Sequence, residues 1–139
     1  ANPITGDLHV RHRDCYVIAA ANTWGRGGDT QYVGRNQLDA ATLDRFVLST
    51  LLVDYDTGLE KRHAQGALPE ETAKALIDWV KELRRKIASN RLRRVASTRL
   101  VMNGVAAMKA GRTLEQVQGR YFQDWSRDER AKVGAGEEV

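Results

Sequence analysis

Two apolar runs of strand length, with no third beside them, restrict what this chain can build. CYVIAAA occupies residues 15–21 and FVLSTLLV occupies residues 46–53. Neither alternates apolar with polar residues, so each reads as a strand buried on both faces, as in parallel sheets covered by helices. Between them, NQLDAATLDR (residues 36–45) reads as a short helix with Leu38, Ala40 and Ala41 on one side, completing a strand–helix–strand unit. Just upstream, TGDLHVRHRD reads as an irregular hairpin in which Leu8 and Val10 alternate with polar neighbours. Two parallel strands alone leave both faces and both edges without partners and make no stable sheet. The first half therefore reads as the tail end of a larger α/β domain.

The second half carries a helical period instead. PEETAKALIDWVKELRRKIA (residues 69–88) opens with Pro69 in the first turn and two acids at the end where the helix dipole favours them. Ala73, Leu76, Ile77, Val80, Leu83 and Ile87 follow the 3.6-residue spacing of a core-facing stripe. Ser97 is placed to cap TRLVMNGVAAMKA, which Gly111 closes, with Val101, Val105 and Met108 on one face. Thr113 and Gln116 form a capping box for LEQVQGRYFQDW, in which Leu114, Val117, Tyr121 and Trp125 share a side. The final VGAGEEV (residues 133–139) reads as frayed. The fold class expected is thus an α/β remnant over residues 1–57 followed by an all-α bundle over residues 58–139.

Composition narrows the function classes. With 139 residues, 42% of them hydrophobic and only two prolines, the chain has the makings of a globular domain rather than a disordered one. One cysteine, Cys15, excludes a disulfide framework; at the start of an apolar run it reads as packed rather than reactive, and a reducing, cytoplasmic location is expected. No apolar stretch approaches the roughly 18 residues that span a bilayer, and the first residues lack a signal-peptide core, so no membrane partner is expected. His9, His12 and His63 are scattered, with no carboxylate or cysteine at ligand spacing, which argues against a metal site. Asp54 and Asp56 read as solvated turn acids. Charge is uneven: residues 1–80 hold 8 Lys/Arg against 11 Asp/Glu, and residues 81–139 hold 14 against 7. The densest block, KELRRKIASNRLRRVASTR (residues 81–99), reads as solvated helix faces or as a polyanion-binding surface.

Three polar residues carry the chemistry. Asn22 follows the first apolar run, at the carboxyl end of a strand, where open α/β sheets bind ligands; taken alone, an Asn there is more often a turn former. Arg45 ends the short helix, a place for an exposed guanidinium or for a structural ion pair. Arg99 falls in the first turn of a helix, where a cation opposes the helix dipole. That conflict points to an anionic ligand or a buried acid nearby.

The order IAAANTWG, LDAATLDRF and VASTRL resembles the carboxyl-terminal half of an AAA+ ATPase of the MoxR, dynein-related and chelatase-subunit group. The likeness extends from Gly6 to Met108, and HRDCYVIAAANT is similar to the family's hairpin leading into a core strand. Thr98 stands where that family carries a proline before the arginine. The resemblance implies that Asn22 is the sensor-1 residue, positioning the attacking water. It implies that Arg45 is an arginine finger reaching into a neighbouring subunit, and that Arg99 is the sensor-2 arginine, coupling a helical lid to the nucleotide. Asn plus two Arg supply the positioning and positive charge that phosphoryl transfer needs. The partners implied are identical subunits in a ring, a hexamer, and a client protein remodelled or a metal inserted; the cofactors are ATP and Mg²⁺.

The sequence holds no G-x-x-x-x-G-K-[ST] loop and no apolar strand ending in Asp-Glu for Mg²⁺. GRGGDTQYVGRN, Gly-rich but lacking the Gly-Lys-Ser/Thr ending, reads as a flexible insertion at a subunit interface. These residues alone are accordingly expected to bind ATP weakly and not to hydrolyse it. The alternative from another class is a stand-alone basic helical module that binds nucleic acid or protein.

Overall fold

The computed structural model describes residues 4–8, 10, 12–23, 36–46 and 49–136, and six helices lie among them. They are α1 (Ala40–Asp44), α2 (Thr57–Gln65), α3 (Glu70–Ser89), α4 (Thr98–Lys109), α5 (Leu114–Tyr121) and α6 (Arg127–Val133). The five from α2 onward form one bundle: α2 packs on α3 and α4, α3 also on α4 and α6, and α4 on α5.

The long α3 organises the bundle because its apolar stripe serves two clusters. Ala73, Leu76, Ile77 and Val80 pack with Ala64, Leu68, Val101 and Val105 at one end. Leu83 and Ile87 pack with Leu92, Ala96, Phe122, Trp125 and Val133 at the other. Trp79 and Leu100 lie against both clusters and join them. All six stripe residues expected from the spacing are buried. Close approach of α4 to α3 depends on Gly104, where an added Cβ meets Leu76 Cδ1 at 3.0 Å.

Capping fixes the helix starts. Thr113 Oγ1 accepts from Gln116 N, and the Gln116 side chain accepts from Thr113 N, closing the expected box at α5. Ser126 and Glu129 make a second such box at α6, a helix the period did not announce. Val133, expected in a frayed end, is instead a buried core residue. Asp56, read as a solvated turn acid, caps α2 by accepting from Leu59 N at 2.8 Å. Pro69 is the N-cap of α3 rather than a residue of its first turn.

The α/β expectation is corrected. Among the described residues there is no strand, and the fold is all-α. Residues 15–21 are irregular and exposed, with Tyr16 84% and Ile18 93% accessible; Leu51 and Val53 of the second run are likewise exposed, at 83% and 82%. Cys15, expected to pack, is exposed as well. The cause is the one that makes isolated strands unstable: a strand is held by a ladder on its edges and cover on its faces, and neither is present for these runs among the described residues. Leu8 and Val10 are exposed too, and no hairpin ladder forms among the described residues. The short helix between the runs is present but starts at Ala40 rather than Asn36, where Asp39 caps it through Thr42 N at 2.8 Å. Residues 25–35 of the Gly-rich insertion, His9, and residues 47 and 48 of the second run lie outside the described residues.

Candidate functional site

The start of α4 departs from the other helix starts of the bundle. Glu60 lies in the first turn of α2, Glu70 and Glu71 in that of α3, Glu115 in that of α5, and Asp128 and Glu129 in that of α6. The first turn of α4 holds no acid, and its basic residue there is Arg99. Ser97 occupies the N-cap in extended backbone, as expected, yet its side chain makes no capping hydrogen bond. Main-chain donors and an exposed guanidinium therefore meet at one end of a helix whose dipole is positive.

A buried acid does lie close by, but it is engaged elsewhere. Glu60 is 3% accessible and receives both terminal nitrogens of Arg84, Nη1 at 2.9 Å on Oε2 and Nη2 at 2.8 Å on Oε1. Thr98 Oγ1 donates to the same Oε1 at 2.7 Å. Hydrogen bonds from Arg84, opposed by burial and helped by Thr98, hold the Glu60 carboxyl below the ordinary carboxylate range. Arg84 completes its set by donating from Nε to the Ala96 carbonyl at 2.7 Å, and the Tyr55 ring lies 3.8 Å from its guanidinium carbon. The acid is satisfied by a neighbouring arginine and a threonine hydroxyl, which leaves Arg99 exposed and without an ion pair among the described residues.

Asn22 lies in a bend and Arg45 at the C-cap of α1, both exposed. Among the described residues no hydrogen bond or ion pair joins Asn22, Arg45 and Arg99 to one another. Arg99 has a defined setting at the start of α4, whereas Asn22 and Arg45 stand exposed in the segment before the bundle.

Part of the basic block is engaged within the protein. Arg84 pairs with Glu60, Arg85 with Glu82 at 2.6 Å, and Lys86 donates to the Val133 carbonyl at 2.7 Å. Arg94 binds Glu129 through Nε and Nη2 at 2.9 and 2.8 Å, and Asp124 through Nη1 at 2.7 Å. Glu129 is held down at about 2, chiefly by Arg94, and Arg94 is held protonated above its ordinary range in return. Lys81, Arg85, Arg91, Arg93 and Arg99 are the exposed cations of the block, Arg85 paired at the surface with Glu82. Trp125 lies beneath Arg94, with Trp79, Tyr121 and Phe122 packed edge to face in the same aromatic group, and Tyr121 donates to the Val95 carbonyl at 3.0 Å. Burial pushes the Tyr121 hydroxyl up to about 12, so it stays a donor at ordinary pH.

Sequence reasoning missed Glu60, Arg84, Arg94 and Glu129. The available signal was density of charge, but the partners lie 24 and 35 residues apart in the chain, beyond any local spacing rule. No helix among the described residues is long and apolar enough to cross a membrane. No protein-family model, curated protein or solved structure matches this chain.

Proposed function

We propose that the helical bundle is the lid of a ring-forming AAA+ ATPase, with Arg99 as its phosphate-facing side chain. The carrying observation is the start of α4: an exposed arginine on a positive helix end with no acid in its turn and no side-chain cap. A cation held against the dipole is stabilised by an anion bound there, and the guanidinium fork suits phosphate oxygens. In this reading Asn22 orients the attacking water, Arg45 acts on a neighbouring subunit's nucleotide, and ATP and Mg²⁺ are held by a phosphate loop outside these 139 residues. The work done is remodelling of a partner protein or assistance to metal insertion. Engagement of Arg84, Lys86 and Arg94 within the protein takes these three cations away from a nucleic-acid surface built on the basic block and so favours the lid reading.

The test is Arg99→Ala in an assembly that carries the phosphate loop. Because Arg99 rides on the lid, both ATP affinity and turnover fall, with turnover lower by about tenfold or more. Arg99→Lys keeps the charge but not the fork and recovers only part of the loss. Unchanged affinity and turnover in Arg99→Ala would remove Arg99 from the nucleotide site.

A further inference from the structure

Thr98 and Ala96 flank the non-capping Ser97, and one buried ion pair grips both. The Thr98 hydroxyl donates to Glu60 Oε1 at 2.7 Å, and Arg84 Nε donates to the Ala96 carbonyl at 2.7 Å. Glu60 and Arg84 are themselves locked by two parallel hydrogen bonds, a geometry that resists rotation as well as separation. Fixing residues 96 and 98 fixes the direction in which α4 leaves its N-cap, and hence where the side chain of residue 99 emerges. Since the charges of Glu60 and Arg84 offset each other, the pair orients Arg99 without competing for its guanidinium.

Tyr55 covers Arg84 at 3.8 Å. It lies between Arg45, at the end of α1, and Asp56, the cap of α2. Any displacement of residues 49–56 alters the support on Arg84 and, through Ala96 and Thr98, the start of α4.

We propose that Glu60 is a positioning residue for Arg99, acting through Thr98, and that Tyr55 on Arg84 ties this positioning to the segment following Arg45. The proposal rests on Arg99 being phosphate-facing only for its functional meaning, since the linkage itself is measurable without nucleotide.

The experiment uses the 139-residue chain and its Thr98→Val, Thr98→Ser and Tyr55→Leu variants. One arm measures amide hydrogen exchange at residues 100–102, and the other titrates tripolyphosphate while following the Arg99 Nε–Hε NMR signal. Thr98→Val lacks a hydrogen bond to a charged group, so exchange at residues 100–102 rises by about tenfold, while amides of α5 keep their protection. Tyr55→Leu raises exchange at the same amides, although residue 55 lies outside α4. The tripolyphosphate dissociation constant rises several-fold in Thr98→Val, and Thr98→Ser restores both readouts, which loss of general stability would not allow. Wild-type exchange in Thr98→Val overturns the positioning role, and wild-type exchange in Tyr55→Leu overturns the link to residues 49–56. If tripolyphosphate fails to move Arg99 in the unsubstituted chain, the phosphate-facing role falls and the exchange arm still decides the positioning.

Discussion

Arg91 adopts a left-handed conformation, φ 50°, at the exit of α3. There its N–H donates to the Ala88 carbonyl at 3.1 Å and Leu92 N–H to the Ile87 carbonyl at 3.0 Å, the paired closure that usually employs glycine. Gly111 performs the same task after α4, at φ 88°. A Cβ in this conformation is strained, so Arg91→Gly is expected to stabilise the protein by about 0.5–1 kcal/mol after its own unfolded-state entropy is allowed for. Urea unfolding checks it, with a raised midpoint and unchanged slope expected. Arg84 is the opposite case. Removing it strands Glu60, 3% accessible, without its main partner, and Arg84→Ala is expected to cost about 3–5 kcal/mol. A loss below about 1 kcal/mol in the same measurement would mean that water enters and solvates the carboxylate.

At the scale of elements, α6 shows how a short helix is held by its surroundings. Seven residues do not sustain a helix in water, and α6 persists through its capping box, the burial of Val133 and its ties to α3 and Arg94. Lys86 donates to the Val133 carbonyl, and Asn90 Nδ2 to the Lys132 carbonyl at 3.2 Å, so the end of α3 reads the end of α6. The Glu129 carboxyl serves both the box and Arg94, and its value falls from an ordinary 4.5 to about 2 in the folded protein. A carboxylate depressed by folding contributes stability above its unfolded value and loses it as the pH falls through the folded one. The contribution is therefore full above about pH 5 and disappears between about 4.5 and 2, a loss on the order of 1–2 kcal/mol after solvent screening. Thermal melts across that window are expected to fall less steeply with acid in Glu129→Gln. Glu60, lowered in the same direction, keeps some slope in that variant.

For the whole molecule, the bundle is closed by its own core, whereas the apolar runs before it are not. Ile18, Leu51 and Val53 stand exposed, and Arg45, the exposed C-cap of α1, lies between these runs in the chain. If Arg45 is the finger of the proposed ring ATPase, its charge acts on the transition state in a neighbour's site. Arg45→Ala then leaves ATP affinity nearly intact and lowers turnover by roughly 10³-fold. Mixing Arg45→Ala subunits with subunits disabled in the phosphate loop is expected to restore part of the activity, because an intact finger then meets an intact pocket. Mixed rings that never exceed either parent variant would show that Arg45 does not act in trans.

Local chemistry was legible in the residues themselves. The α3 stripe and the Thr113–Gln116 box follow from which residues stand three or four positions apart, and a helix turn brings those together whatever else the chain does. Arg99 also stood out locally, as a cation against a helix dipole, and the same conflict pointed to an acid or an anion nearby. Which acid lay there, and that Arg84 and Thr98 had already claimed it, depended on α2, α3 and α4 meeting in space. The apolar runs failed as strands for the complementary reason: a helix closes its hydrogen bonds within itself, whereas a strand borrows them from neighbours that only tertiary structure provides.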